Sequence, residues 1–222
     1  LIQPFNGARE VLNALKNCDI ELFVNLGSSS EYGFKDEPMN ENDVLEPNSY
    51  HSFSKGAQTN LVQTYGFVEK KPVVTFRLFS VYGPFERQTR LIPAVISACL
   101  NKENLKLSSP KVVRDFVFVK DVVDLCLKVD ELKKHTGQIF NVGTGKQTSI
   151  GEVVDIVSRL TEYKPNCLWN EDQRSWDTQN WVADCSKTEK VFGWKHATDI
   201  ESGLKKTVEW MTTYGKQFKT VV

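Results

Sequence analysis

The chain has 222 residues, with 28 basic and 28 acidic side chains, so its formal net charge is zero. That balance excludes the basic footprint of a nucleic-acid binder and gives no support to electrostatic attachment to a membrane surface. Hydrophobic residues make up 40% and charged residues 25%, ordinary for a folded globular chain and far from the signature of disorder.

The opening Leu1-Ile2-Gln3-Pro4 carries neither an initiator methionine nor a signal-peptide pattern, so the sequence reads as starting inside a longer or processed protein. Phe5, Ala8, Val11, Leu12 and Leu15 then recur on one face of a helix over residues 5–15. Residues 20–26 read as a short buried strand. Gly27-Ser28-Ser29-Ser30 follows at its carboxyl end, where open α/β sheets place ligand contacts. A polar loop with Pro38 and Pro47 leads to a helix over 49–65 and a β-branched, aromatic strand over 72–79. Beyond the Gly83-Pro84 turn, 91–100 reads as helix, 116–119 as extended and 122–132 as helix. A strand at 139–142 and helices at 150–160 and 200–211 complete the pattern. Strands alternating with helices predict a mostly parallel sheet covered on both faces.

Neither apolar stretch, 20–26 or 72–79, approaches the roughly 20 residues of a membrane span. Cys18, Cys99, Cys126, Cys167 and Cys185 are odd in number, far apart and without a CxxC pair, which argues against a disulfide framework and against a zinc site. They read as small core residues of a protein in reducing cytoplasm.

His51 and Lys55 lie four residues apart and share a helix face. With the hydroxyls of Ser28 to Ser30 across a cleft they could polarise a carbonyl or alcohol and move a proton; the alternative is a solvated helix face. The blocks Gly27-Ser28-Ser29-Ser30-Glu31-Tyr32-Gly33, Glu46-Pro47-Asn48-Ser49-Tyr50-His51-Ser52-Phe53-Ser54-Lys55 and Arg77-Leu78-Phe79-Ser80-Val81-Tyr82-Gly83-Pro84 stand in that order. Arg114-Asp115-Phe116-Val117-Phe118-Val119-Lys120-Asp121, Phe140-Asn141-Val142-Gly143-Thr144-Gly145 and Arg174-Ser175-Trp176-Asp177 follow, then Ala183-Asp184 and Gly193-Trp194. Together they resemble the extended short-chain dehydrogenase/reductase family, and within it the NAD-dependent nucleotide-sugar epimerases and dehydratases.

The resemblance implies an α/β fold: part of a Rossmann-like parallel sheet, lacking its amino-terminal half, with a smaller carboxyl-terminal substrate lobe. The sheet unit would occupy residues 1–85 and the lobe 86–222, with a strand returning to the sheet near 138–143. It makes Ser29 the hydroxyl that hydrogen-bonds the reacting sugar oxygen, and Lys55 the ammonium on the nicotinamide ribose of NAD or NADP. Phe79 would lie by the cofactor, Ser30 and Ser80 by the sugar, and Arg114 and Arg174 on the diphosphate, a role suited to a planar, always-charged guanidinium. Glu31 aligns with the carboxylate that family dehydratases use for proton transfer, while Ser30 in place of an aspartate favours an epimerase or reductase.

Two departures stand beside these matches. The family's Tyr-x-x-x-Lys has His51 in the tyrosine position, and Tyr50 is turned about 100° around the helix. The sequence also lacks a Gly-x-x-Gly-x-x-Gly turn, and Gly143-Thr144-Gly145 has neither the third glycine nor the place in the chain to replace it. Three readings remain open: a nucleotide-sugar epimerase or dehydratase, a degenerate nucleotide-sugar-binding fragment without turnover, and one half of a split enzyme. The partners implied are a nucleotide sugar and either a second copy, docked through helices 5–15 and 49–65, or a complementing amino-terminal half.

Overall fold

The computed structural model describes residues 3–170 and 180–215. In chain order, α1 (Gln3–Leu15) leads to β1 (Phe23–Ser28), α2 (Tyr50–Val68), β2 (Val73–Leu78) and β3 (Ser80–Tyr82). Next come α3 (Leu91–Asn101), β4 (Leu105–Leu107), β5 (Val113–Arg114), β6 (Phe116–Phe118), α4 (Val119–Cys126) and α5 (Val129–Leu132). β7 (Ile139–Val142), β8 (Thr148–Ser149), α6 (Ile150–Thr161), β9 (Cys167–Trp169), α7 (Ser186–Phe192) and α8 (Ile200–Tyr214) follow.

The apolar strands pair in parallel in the order β1-β2-β7, with Phe23 opposite Val73 and Thr75 opposite Ile139. Alternation along β2 sends Val73 to the α1–α2 layer, where it meets Leu12 and Val62, and sends Val74 and Phe76 to the other face, against Leu125, Phe140 and Phe192. A second core lies beyond the sheet, where Tyr82, Ile96, Phe116, Phe118, Val153 and Leu204 join β3 and β6 to α3, α6 and α8. Among the described residues, no helix is long and apolar enough to cross a membrane.

The first strand sits later than its hydrophobicity predicts. Pairing begins where Phe23 N donates to Pro72 O at 2.8 Å and runs on to Ser28 opposite Leu78, so a serine closes the strand. The helix predicted over 122–132 is two, because Lys128 leaves helical geometry (ψ 50°) and turns its ammonium toward Phe192 O. The two- and three-residue strands β3, β4, β5, β8 and β9 are too short for a period to show in sequence. Of the five free cysteines only Cys99 is buried, while Cys18 is exposed and the others are intermediate, so the reading of them all as core residues is corrected.

β1 bonds to β2 alone among the described strands, leaving one edge open, and Leu26 in it is 46% exposed. An open parallel edge with apolar flanks is a template for further pairing. The 222-residue chain is therefore expected to self-associate, and Leu26→Lys, which places a charge at that edge, should shift it toward monomer in light scattering. A wild-type chain that stays monomeric at tens of micromolar would overturn this.

Candidate active site

The carboxyl end of β1 turns at once into a 3₁₀ turn over Ser29–Tyr32, capped by Ser28, whose Oγ accepts from Ser30 N at 3.2 Å. The Ser28 and Ser30 hydroxyls lie 2.8 Å apart and both residues are half-buried. Ser29 is only 5% exposed, and its Oγ accepts the indole N–H of buried Trp181 at 3.1 Å. The turn ends at Gly33, whose φ of 73° and 2.0 Å separation of a would-be Cβ from Glu46 O both require glycine.

Glu31 faces away from the cleft. Its Oε1 accepts from Ser28 N at 2.8 Å and Thr59 Oγ1 at 3.0 Å, and its Oε2 from Arg77 Nε at 3.0 Å. The Glu31 side chain is 0% and that of Arg77 4% exposed, and the guanidinium also lies over the Tyr32 ring at 4.6 Å. This is a buried ion pair that ties β1, α2 and β2 together. Gly27 makes room for it: a Cβ there would sit 2.8 Å from Glu31 Oε1.

Helix α2 starts beside the serine turn because Ser49 caps it, accepting from Ser52 N while the Ser52 hydroxyl accepts from Ser49 N. His51 is exposed in the first turn, and burial of its ring, then the positive charges of Lys55 and Arg90, hold its pKa below the usual imidazole value. It is neutral at pH 7. Lys55, one turn on, donates from Nζ to Leu26 O at 2.5 Å and Gln58 Oε1 at 2.8 Å, joining α2 to the end of β1. Burial lowers its pKa, and the carboxylate of Glu31 opposes that shift. Tyr50 is 73% exposed.

A cavity of about 350 Å³ opens between β3, α3, β4 and β5, lined among others by Ser80, Glu86, Arg90, Lys106 and Arg114. Arg114 donates from Nη1 to Val113 O at 2.7 Å, and its guanidinium stands 5.4 Å from the Trp181 ring centre. Its neighbour Asp115 is engaged elsewhere: fully buried, it accepts from Thr144 N and Oγ1, Gly145 N and Ala183 N, and so anchors the segment that carries Trp181. Phe79 is 5% exposed and packs with Tyr32, Met39 and Trp181 rather than lining this cavity. Arg174 and Trp176 lie outside the described residues.

The structure thus brings Ser28, Ser30, Lys55 and His51 to the carboxyl end of β1 and Ser80 and Arg114 to one cavity, while Glu31 and Phe79 are built into the interior. Arg90, Glu86 and Trp181 were not found from the sequence. Arg90 sits in Gln88-Thr89-Arg90, a polar stretch with no pattern, and Trp181 meets Ser29 across 152 residues of chain.

A parallel sheet with a capped helix and serine turn at one strand end, and a cation-lined lobe beyond it, is the architecture of the Rossmann-like epimerases and dehydratases. The model of the NAD dependent epimerase/dehydratase family matches residues 3–143, and the chain belongs to that family, within the extended short-chain dehydrogenases/reductases. It is 30% identical to the dTDP-D-glucose 4,6-dehydratase of Mus musculus over 96% of this chain and 61% of that protein. It is 29% identical to UDP-glucuronate 4-epimerase 2 of Arabidopsis thaliana over 86% of this chain and 48% of that one. The solved structure of MoeE5 in complex with UDP-glucose and NAD superposes with a TM-score of 0.89 at 28% identity, covering 95% of this chain and 71% of that one. The chain therefore spans less than two thirds of the length of these curated relatives.

Proposed function

We propose that the chain is the sugar-nucleotide-binding and proton-transferring part of an NAD(P)-dependent nucleotide-sugar epimerase or dehydratase. The observation that carries this reading is Arg90, which lines the cavity holding Arg114 and Ser80 and also acts on the charge of His51. That shared residue supports a single site in which the cation-lined cavity takes the diphosphate and the sugar reaches the His51–Lys55 face of α2.

The residues present fit the nicotinamide-ribose end of a dinucleotide. Lys55 Nζ already reaches an acceptor, Leu26 O, at the open end of β1, and would exchange it for ribose hydroxyls. A bound dinucleotide supplies the hydride acceptor and donor. Everything else falls to this chain: Arg114 and Arg174 hold the diphosphate, and Ser80 contacts the sugar. The Ser28–Ser30 hydroxyl pair, more open than Ser29 behind its indole bond, hydrogen-bonds the reacting sugar oxygen. Neutral His51 accepts that oxygen's proton, and Lys55 keeps the region positive. Glu31, with three partners already, stays structural. The exposed Val11, Phe67 and Val68 on α1 and α2 support a helix-mediated homodimer, and the open β1 edge supports a complementing sheet segment.

A second reading, binding without turnover, is favoured by one observation, the histidine in the tyrosine position. Both readings require the cavity to hold a nucleotide sugar. Arg114→Ala should weaken UDP-glucose binding about 10- to 150-fold, the loss of a hydrogen bond to a charged group. Calorimetry on both proteins checks this, and unchanged affinity would remove Arg114 from the site. Turnover of a bound sugar then separates enzyme from binder.

A further inference from the structure

Among the described residues, three cations, Arg90, Lys106 and Arg114, and one carboxylate, Glu86, line the cavity. Glu86 lies in the turn after β3, its side chain 16% exposed. Oε1 stands 3.6 Å from Arg90 Nε, and Oε2 is buried with no hydrogen-bond partner. The titratable Tyr82 also lines this cavity, and its hydroxyl donates to Ile200 O at 3.4 Å. An ionised carboxylate with one orphaned oxygen is poorly solvated, and it occupies the guanidinium that an anionic ligand needs.

We propose that Glu86 makes this cavity proton-linked: a nucleotide diphosphate binds with Glu86 protonated, and the ionised carboxylate competes with it for Arg90. The inference rests on the nucleotide-sugar reading above and adds to it a residue that sets ligand affinity against pH. Burial raises the Glu86 carboxyl to about 7, against the opposing pull of Arg90 and the Gly83 N–H. Around neutrality the empty site is therefore a mixture of both forms. Below pH 7 the acid is mostly neutral and no longer competes with the ligand for the lining cations. Above it the carboxylate cancels one of them, so affinity falls as pH rises.

UDP-glucose is a suitable probe because its diphosphate diester keeps its charge between pH 6 and 8, so any dependence belongs to the protein. If the bound form keeps the proton throughout, affinity falls about tenfold from pH 6 to pH 8, and binding at pH 8 takes up close to one proton. Calorimetry in buffers of different ionisation heat reads both. Glu86→Gln should flatten the profile, bind at pH 8 about as tightly as the wild type does at pH 6, and abolish proton uptake. Binding by the wild type with no proton uptake at pH 8 overturns the proposal even if the variant fails to fold. Uptake that persists in a folded Glu86→Gln also overturns it, because the proton then belongs to another group such as His51. No binding by either protein at any pH would instead defeat the nucleotide-sugar reading, and this inference with it.

Discussion

Glu31→Ala is expected to destabilise the chain by about 3–5 kcal/mol, a large part of the roughly 5–15 kcal/mol that holds a typical domain folded. The cause is the group left behind. Arg77 sits on the central strand β2, its side chain 4% exposed, and Glu31 Oε2 at 3.0 Å is its carboxylate partner. Alanine leaves that guanidinium charged and buried, with only the Tyr32 ring and a long 3.5 Å approach to Glu41 O. Glu31→Ala combined with Arg77→Met should be markedly less damaging than Glu31→Ala alone, since no buried charge remains. What persists is the smaller loss of the Ser28 N–H and Thr59 hydroxyl partners, of order 1 kcal/mol each. Urea unfolding of the three proteins, with a shared m value, measures this. A double variant as unstable as Glu31→Ala would show that the carboxylate acts through Ser28 and Thr59 and not through the ion pair.

The same residue marks the limit of what the sequence discloses about the site. Glu31 stands one residue from the serine cluster, so spacing alone offers it to the cleft. The 3₁₀ turn over Ser29–Tyr32 rotates it inward to Arg77, 46 residues away in sequence. The packing of Phe79 is hidden from the sequence for the same kind of reason. The residue ends an apolar run, and only the packing of Met39 and Trp181 against it decides that it belongs to the interior. By contrast, the His51–Lys55 face is legible because its determinants are local: the Ser49 cap starts the helix and the four-residue spacing does the rest. The sheet is legible where runs are long, as with Val73–Leu78, and is missed in short strands such as β4, β5, β8 and β9, which are held by partners far along the chain.

The cavity was the least legible part. Arg114 came from a motif, but Arg90 and Glu86 enter through the irregular turn between β3 and α3, where neither period nor propensity points to a ligand. Fixed in place, however, they connect the two ends of the site. Arg90 pairs with Glu86 and, after burial of the ring and the charge of Lys55, is the third influence that lowers the His51 pKa.

His51→Tyr is expected to raise turnover by at least about tenfold in the chain supplied with a dinucleotide-binding segment from a relative, fused or as a separate polypeptide. General acid/base catalysis is worth roughly 100- to 10,000-fold, and histidine here captures only part of it. Its ring starts near ~6.5 and is pulled lower by burial, Lys55 and Arg90. At pH 7 it can accept a proton, but burial, Lys55 and Arg90 all disfavour the imidazolium it becomes. A phenol starts near ~10, lowered by the same cations and raised by burial, so at pH 7 it holds the transferred proton that the imidazolium readily gives up. It also carries its oxygen further from the helix than the imidazole carries its nitrogen. The gain should appear in kcat with KM little changed if, as proposed, residue 51 acts on the reacting oxygen and the cavity on the diphosphate. The electrostatic premise is open to a separate check in the 222-residue chain: proton NMR titration of His51 should give a midpoint below ~6.5 that rises in Lys55→Met. A histidine form already as fast as the tyrosine form, with kcat falling as the pH drops through that midpoint, would make His51 a fully effective base and the substitution an adaptation rather than a loss.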